Sequence, residues 1–157
     1  MISRLVLFAM FLPLSLPSFA VPELNDSAKH AVEQAVLEAA ARNWDAAKAA
    51  DLPAMMAPIL PTDKGTYVAQ SEVWWSREDT VAFYNVAFEG VARQELDWER
   101  ETVTVLSPTA ALYVAKGVYR QYDREDQLLI ESPHAVSIVM VLGEGQWRIR
   151  HLHQSFP

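Results

Sequence analysis

The sequence predicts an α+β domain, with helices in its first half and a sheet in its second. Two observations carry this. Apolar residues recur with a helical period up to about residue 91, and long strand-like runs separated by turn residues fill the rest. A third observation sets the scale: 157 residues suffice for one real core and are too few for two ordinary domains. Helices followed by a meander place the helices on one face of a curved sheet.

The elements follow in order. Asn25, Asp26 or Ser27 can cap a helix starting near Ala28. Its apolar stripe runs Ala28, Val32, Ala35, Val36, Ala39, Ala40, Trp44 and Ala47, with Lys29, Glu33, Glu38, Arg42 and Lys48 opposite. Asp51 caps a short second helix, with Pro53 in the first turn where a missing N–H costs little. Met55, Met56, Ile59 and Leu60 form its apolar side, and Pro61 closes it. Residues 65–70 make a short strand. Ser76-Arg77-Glu78-Asp79 has the capping-box pattern and opens a third helix through Val81, Phe83, Tyr84, Phe88 and Val91.

Three strands are then expected at residues 96–106, 110–122 and 128–142, the last interrupted by Pro133. Ser107-Pro108-Thr109, residues 123–126 and Gly143-Glu144-Gly145 supply the turns. The charged run Asp123-Arg124-Glu125-Asp126 reads as a solvated hairpin tip. Glu99-Arg100-Glu101 reads as a charged sheet edge that discourages unwanted pairing.

Residues 1–20 differ from the rest. Arg4 precedes an apolar run from Leu5 to Leu16, and Ser18-Phe19-Ala20 places small residues where a signal peptidase reads. The reading is a signal peptide over 1–20 followed by a single domain over 21–157, and a periplasmic or secreted address. The run is shorter than the roughly 20 residues that span a bilayer, so no stable membrane insertion is expected after cleavage. Loss of Arg4 takes the formal charge from −7 to −8. An acidic chain without a basic block is a poor nucleic-acid binder. The absence of cysteine excludes disulfides, thiol catalysis and thiolate metal ligands. No cofactor is expected.

The closing stretch WRIRHLHQSFP carries the candidate site. In a regular strand Trp147, Ile149, His151, His153 and Ser155 share one face. Two imidazoles and a hydroxyl would then follow an apolar pair into a polar cavity. Metal binding by His151 and His153 would need a third ligand, such as His134 or Glu131. Proton transfer would need a carboxylate, and Asp45, Asp63, Glu72 and Asp97 are the candidates, each read first as a solvated acid or cap. Trp44, Tyr67, Trp75 and Tyr84 are expected to form part of an apolar wall. Adjacent Trp74 and Trp75 point in different directions, so at least one should face the cavity mouth or a partner subunit.

The chain resembles the SnoaL-like, nuclear transport factor 2-like superfamily. The resemblance rests on Asn43-Trp44-Asp45 in the first helix, Asp51-Leu52-Pro53, the helix capped by Ser76, and above all Gly143–Pro157. That last segment is similar to the closing hairpin of calcium/calmodulin-dependent protein kinase II association domains, with a glycine turn, a Trp strand and a His-x-His-x-Ser tail. The resemblance implies a cone-shaped fold, a curved antiparallel sheet with N-terminal helices on its concave face, a deep pocket and a homodimer formed through the sheet. It implies no single activity. Kinase association domains carry a pocket arginine in the strand before the final hairpin, and Val136–Val141 has none. The function expected is binding of a small, partly apolar molecule. The alternatives are an isomerase or dehydratase using a histidine–carboxylate pair, and a non-catalytic oligomerisation domain.

Overall fold

The computed structural model describes residues 24–157. The predicted signal peptide, residues 1–20, lies outside them. Helix α1 (Asp26–Lys48) starts where Asn25 accepts a hydrogen bond from the backbone N–H of Ala28. Its stripe of Val36, Ala39, Ala40, Trp44 and Ala47 is buried. Helix α2 (Leu52–Met56) is capped by Asp51 and buries Met55 and Met56. Ile59 and Leu60 fall beyond it and run beside the last strand instead, through a bridge between Ile59 and Ile149. Helix α3 (Arg77–Ala87) carries the predicted capping box between Ser76 and Asp79.

The sheet has six strands in the order β2-β1-β6-β5-β4-β3. β1 (Tyr67–Ala69) and β2 (Glu72–Trp74) form a small hairpin where the sequence suggested one strand. β3 (Arg93–Ser107), β4 (Ala110–Tyr122), β5 (Leu128–Gly143) and β6 (Gln146–Ser155) form the meander. The sheet is mixed and mostly antiparallel: β1 pairs with β6 in parallel, which corrects the all-antiparallel expectation. Parallel neighbours need a long connection, and nearly the whole meander lies between these two. Pro133 does not interrupt β5. It pairs with Val118, while the ladder to β6 ends at Ala135, so the proline occupies a locally free edge where its missing N–H is tolerated.

Two of the sheet's bulges set the alternation of the inner face near the cavity. Glu99 is the extra residue between Trp98 and Arg100 in β3, and Arg150 is the extra residue between Ile149 and His151 in β6. At Arg150 the strand also changes neighbours. Ile149 exchanges backbone hydrogen bonds with Pro58 and Leu60, whereas Leu152 bonds to Thr66 at the entry to β1. Bulges bend a strand and shift its alternation by one residue. The core lies between the inner sheet face, with Tyr113, Ile138, Met140 and Ile149 almost fully buried, and helices α1 and α2.

Candidate functional site

A cavity of about 390 Å³ opens between the helices and one end of the inner sheet face. That is the room of about 13 waters at their liquid volume of roughly 30 Å³ each, enough for a molecule of one or two rings. Helix α1 contributes Asn43, Trp44 and Ala47, and α2 contributes Met55 and Met56. Phe83, Tyr84 and Ala87 come from α3, and Tyr67 and Ala69 from β1. The sheet side is formed by inward positions of β3 to β6, among them Gln94, Gln121, His134 and Gln154.

Each wall is held by a few buried polar contacts. Asn43 ties α1 to α2 by donating to the carbonyl of Met55 at 2.7 Å. Trp44 donates its indole N–H to the Tyr113 hydroxyl at 2.9 Å, and that hydroxyl donates to Glu101 at 2.5 Å. Gln94 donates to the carbonyl of Ala47 at 2.8 Å and accepts from Gln121 at 3.3 Å. Gln154 Oε1 accepts from the hydroxyls of Tyr67 at 2.6 Å and Tyr84 at 3.0 Å. With its oxygen engaged twice, the Gln154 amide keeps its NH2 as a donor on the cavity wall.

Among the described residues no Asp, Glu, Lys or Arg side chain lines the cavity. The titratable residues that do are neutral at ordinary pH. Burial pushes the Tyr67 phenol up to about 12, against a smaller opposing effect of its hydrogen bond with Tyr84. Burial likewise carries Tyr84 well above the usual phenol value and raises Tyr119. Burial alone pulls the His134 imidazole down to about 4.

His134 is the least satisfied group in this wall. It is 4 % exposed, and its ring is enclosed by Trp98, Tyr119 and Phe156 at centroid distances of 5.3, 5.5 and 5.0 Å. Its position follows from register. Trp98, Gly117 and His134 form one row across β3, β4 and β5. Gly117 has no side chain, so the two flanking rings meet over it. A Cβ there would stand 2.0 Å from the carbonyl oxygen of Asp97, so this glycine is required by the close approach at the β3 bulge. Neither His134 nitrogen has a hydrogen-bond partner, and the indole N–H of Trp98 has none either. Among the described residues these are the three buried side-chain polar atoms left unpaired. Each such atom costs about 1–3 kcal/mol, so together they weigh on the order of a small domain's whole stability, about 5–15 kcal/mol.

The structure brings Trp44, Tyr67 and Tyr84 together on the cavity wall, as the sequence suggested. It does not bring in His151, His153, Ser155 or Trp75. The Arg150 bulge breaks the assumed alternation, so Ile149, Leu152 and Gln154 are buried on the inner side. His151, half-buried, makes a 3.1 Å contact from Nδ1 to the carbonyl of Gly65, and His153 and Ser155 are exposed on the outer side. Trp75 is 61 % exposed beyond β2, outside the cavity. Its neighbour Trp74 stacks on Tyr67 at 4.9 Å as part of the wall's backing.

His134 therefore cannot join His151 and His153 around one metal ion, because it lies on the opposite face. Among the described residues no group of three His, Cys, Asp or Glu is placed to hold a metal. The candidate acids also lie elsewhere. Asp97 pairs with Arg120 at 2.6 Å, Asp45 with Lys48 at 3.5 Å, and Asp63 and Glu72 are exposed. Sequence reasoning gave no cavity role to Gln94, Gln121, Gln154 or Phe156, and it considered His134 only as a metal ligand. The available signal was the β5 alternation Ser132, His134, Val136, Ile138, Met140, a polar start on a buried strand face.

A family model for the SnoaL-like domain matches residues 36–157. The chain belongs to the SnoaL-like family. Solved structures of the nuclear transport factor 2-like superfamily share its fold. A superfamily protein from Salmonella enterica serovar Typhimurium aligns with a TM-score of 0.69 at 17 % identity, covering 82 % of this chain and 93 % of that one. A candidate dehydratase from Streptomyces avermitilis gives 0.69 at 12 % identity, with 82 % and 98 % covered. A protein of unknown function from Shewanella oneidensis gives 0.63 at 15 %, with 78 % and 97 % covered. None of the curated proteins compared matches this chain. At these identities the likeness is one of fold.

Proposed function

We propose that this SnoaL-like protein binds a small, neutral, largely apolar molecule in the sheet–helix cavity. The observation that carries the reading is a 390 Å³ cavity whose wall contains no charged side chain and whose histidine is held neutral by burial. An ionic ligand entering it would lose hydration and find no charged side chain among the described residues to pair with, a cost of several kcal/mol. A neutral ring system would gain about 25 cal/mol for each Å² of apolar surface removed from water. The few polar groups on the wall are of the kind that orient a ligand rather than supply its affinity.

A thermal-shift series of neutral aromatic and alicyclic compounds against their carboxylates tests this. The neutral members should raise Tm, and Ala87→Trp should abolish the shift. Ala87 is exposed at the cavity edge, so a bulky ring there closes the mouth with little effect on the fold. Equal shifts in wild type and variant would place the binding outside the cavity.

The proton-transfer reading has less support. A histidine–carboxylate pair needs an acid beside the imidazole, and among the described residues no Asp or Glu side chain lines the wall. The homodimer is proposed on a separate observation. Val114, Ser137 and His153 form one row across the outer sheet face, with Val114 40 % exposed and His153 also exposed. A dimer formed there would persist on dilution in a sedimentation experiment and be split by Val114→Glu. Export is proposed from the pattern of residues 1–20, and N-terminal sequencing of the mature protein should begin at Val21. No described helix is long and apolar enough to cross a membrane.

A further inference from the structure

We infer that the cavity selects a ligand bearing a hydroxyl group on an apolar ring, and that His134 with Trp98 is the group that recognises it. The inference deepens the proposed binding function and rests on it. Its starting point is where the unpaired polar atoms lie. Both His134 nitrogens and Trp98 Nε1 are buried without partners, and the two rings touch at 5.3 Å. Polar atoms buried without partners are few in native structures and call for a specific explanation. Here they are clustered on β3 and β5, on either side of Gly117 in β4, with His134 in the cavity wall and Trp98 packed behind it.

The chemistry of the three atoms narrows the ligand. A neutral imidazole presents one N–H donor and one bare nitrogen acceptor, and an indole presents one donor. Together they offer two donors and one acceptor. A carbonyl or ether could use the donors but would leave the bare nitrogen unpaired. An ammonium could use the acceptor but would leave both donors unpaired and brings a charge into a wall where no described residue offers a carboxylate side chain. A hydroxyl both donates and accepts, so unlike a carbonyl or an ether it can pair with either kind of atom.

The surroundings fit a ring carrying that hydroxyl. Phe156 lies parallel to the imidazole, with 2° between the planes, and Tyr119 packs against both. Phe156 follows the last ladder pair, Ala135 with Ser155, so its ring is the part of this enclosure not anchored in a paired strand. A flat apolar ligand takes the place of the Phe156 ring and brings its hydroxyl to the imidazole edge. The free NH2 of Gln154 lies one diagonal step away, since Gln154 faces Val136 and His134 is two residues along the same strand face. It offers a second donor to a ligand with another oxygen.

Equilibrium dialysis at neutral pH with 2-naphthol and naphthalene, against wild type and His134→Phe, tests the inference. The pair shares size and shape and differs by the hydroxyl. Wild type should hold 2-naphthol at least tenfold more tightly than naphthalene. In His134→Phe the two should bind within about twofold of each other, with naphthalene affinity retained. Retained naphthalene binding also shows that the variant is folded. Equal affinities in wild type, whatever the variant does, would overturn the hydroxyl assignment while leaving the cavity reading intact. A tenfold preference that survives His134→Phe would overturn the role of His134. Failure of wild type to bind either compound would overturn the cavity reading, and this inference with it.

Discussion

The two sides of the closing strand β6 make an instructive contrast. The outer side carries His151, His153 and Ser155, the residues that stand out in the sequence. The inner side carries Leu152, Gln154 and Phe156, which do not. The structure gives the cavity to the second set. The outer histidines have one backbone contact between them, whereas Gln154 gathers two tyrosine hydroxyls and Phe156 covers a buried imidazole. One inserted residue, Arg150, decides the outcome. Chemically conspicuous side chains gain a site only if the backbone phase delivers them to it.

Substitutions that sample both sides can break the contrast or sharpen it. The largest difference is expected between Gly117 and its exposed neighbour Lys116 on β4. Gly117→Ala must move the Asp97 backbone, and we expect a loss of at least about 3 kcal/mol in denaturant unfolding. Lys116→Ala should stay within about 0.5 kcal/mol, losing one exposed ion pair with Glu99. Similar values for both would show that the inner face is not held as tightly as its register implies.

His134 provides the next test, and its sign can be worked out. Burial lowers its pKa in the folded state to about 4 from the ordinary imidazole value of 6.5. The unfolded chain therefore binds more protons between these values. The stability gained by keeping the ring neutral is fully present above about 6.5 and is lost as the pH falls towards 4. Integrated over that window the loss is about 3 kcal/mol. His134→Phe should lack this component of acid destabilisation. It should also be more stable than wild type by about 2–6 kcal/mol at neutral pH without ligand, since it removes two unpaired polar atoms. Identical pH–stability curves would contradict the burial of a neutral imidazole.

A smaller effect is expected at Gln154. Gln154→Leu leaves the Tyr67 and Tyr84 hydroxyls without their acceptor and should cost about 2 kcal/mol. His153→Leu, one residue away on the outer side, should change the unfolding free energy of the monomer by no more than about 0.5 kcal/mol. An effect between these two is expected at His151, where His151→Ala removes a single bond to Gly65 and should cost about 1 kcal/mol. A larger loss at His153 than at Gln154 would invert the assignment of the two faces.

Most of the fold was legible because local chemistry marks it. Asn25, Asp51 and Ser76 cap the helices, the Val36–Ala47 stripe has the helical period, and glycine, proline and acidic turns separate the long strands. The parallel pairing of β1 with β6 was not legible, since a three-residue strand names no partner. Pro133 misled for a physical reason: proline is barred from a paired strand interior, and only the early end of β6 frees that edge. Half of the site was missed because Arg150 carries no mark of a bulge. The extra residue is neither a glycine nor at positive φ, and what holds it is the change of neighbours from Pro58 and Leu60 to Thr66. His134 was visible as a residue but not as a site. Its isolation comes from Gly117 opposite, which lets Trp98 close over it from a third strand.

The central claim is that a cavity whose described lining has no charged side chain makes this chain a binder of neutral molecules, and one measurement bears on it most directly. In equilibrium dialysis of naphthalene against 2-naphthoate, which match in ring size and differ in charge, wild type should hold the neutral ring at least tenfold more tightly. Ala87→Trp should remove that advantage. Equal or tighter binding of the carboxylate in wild type would contradict the account.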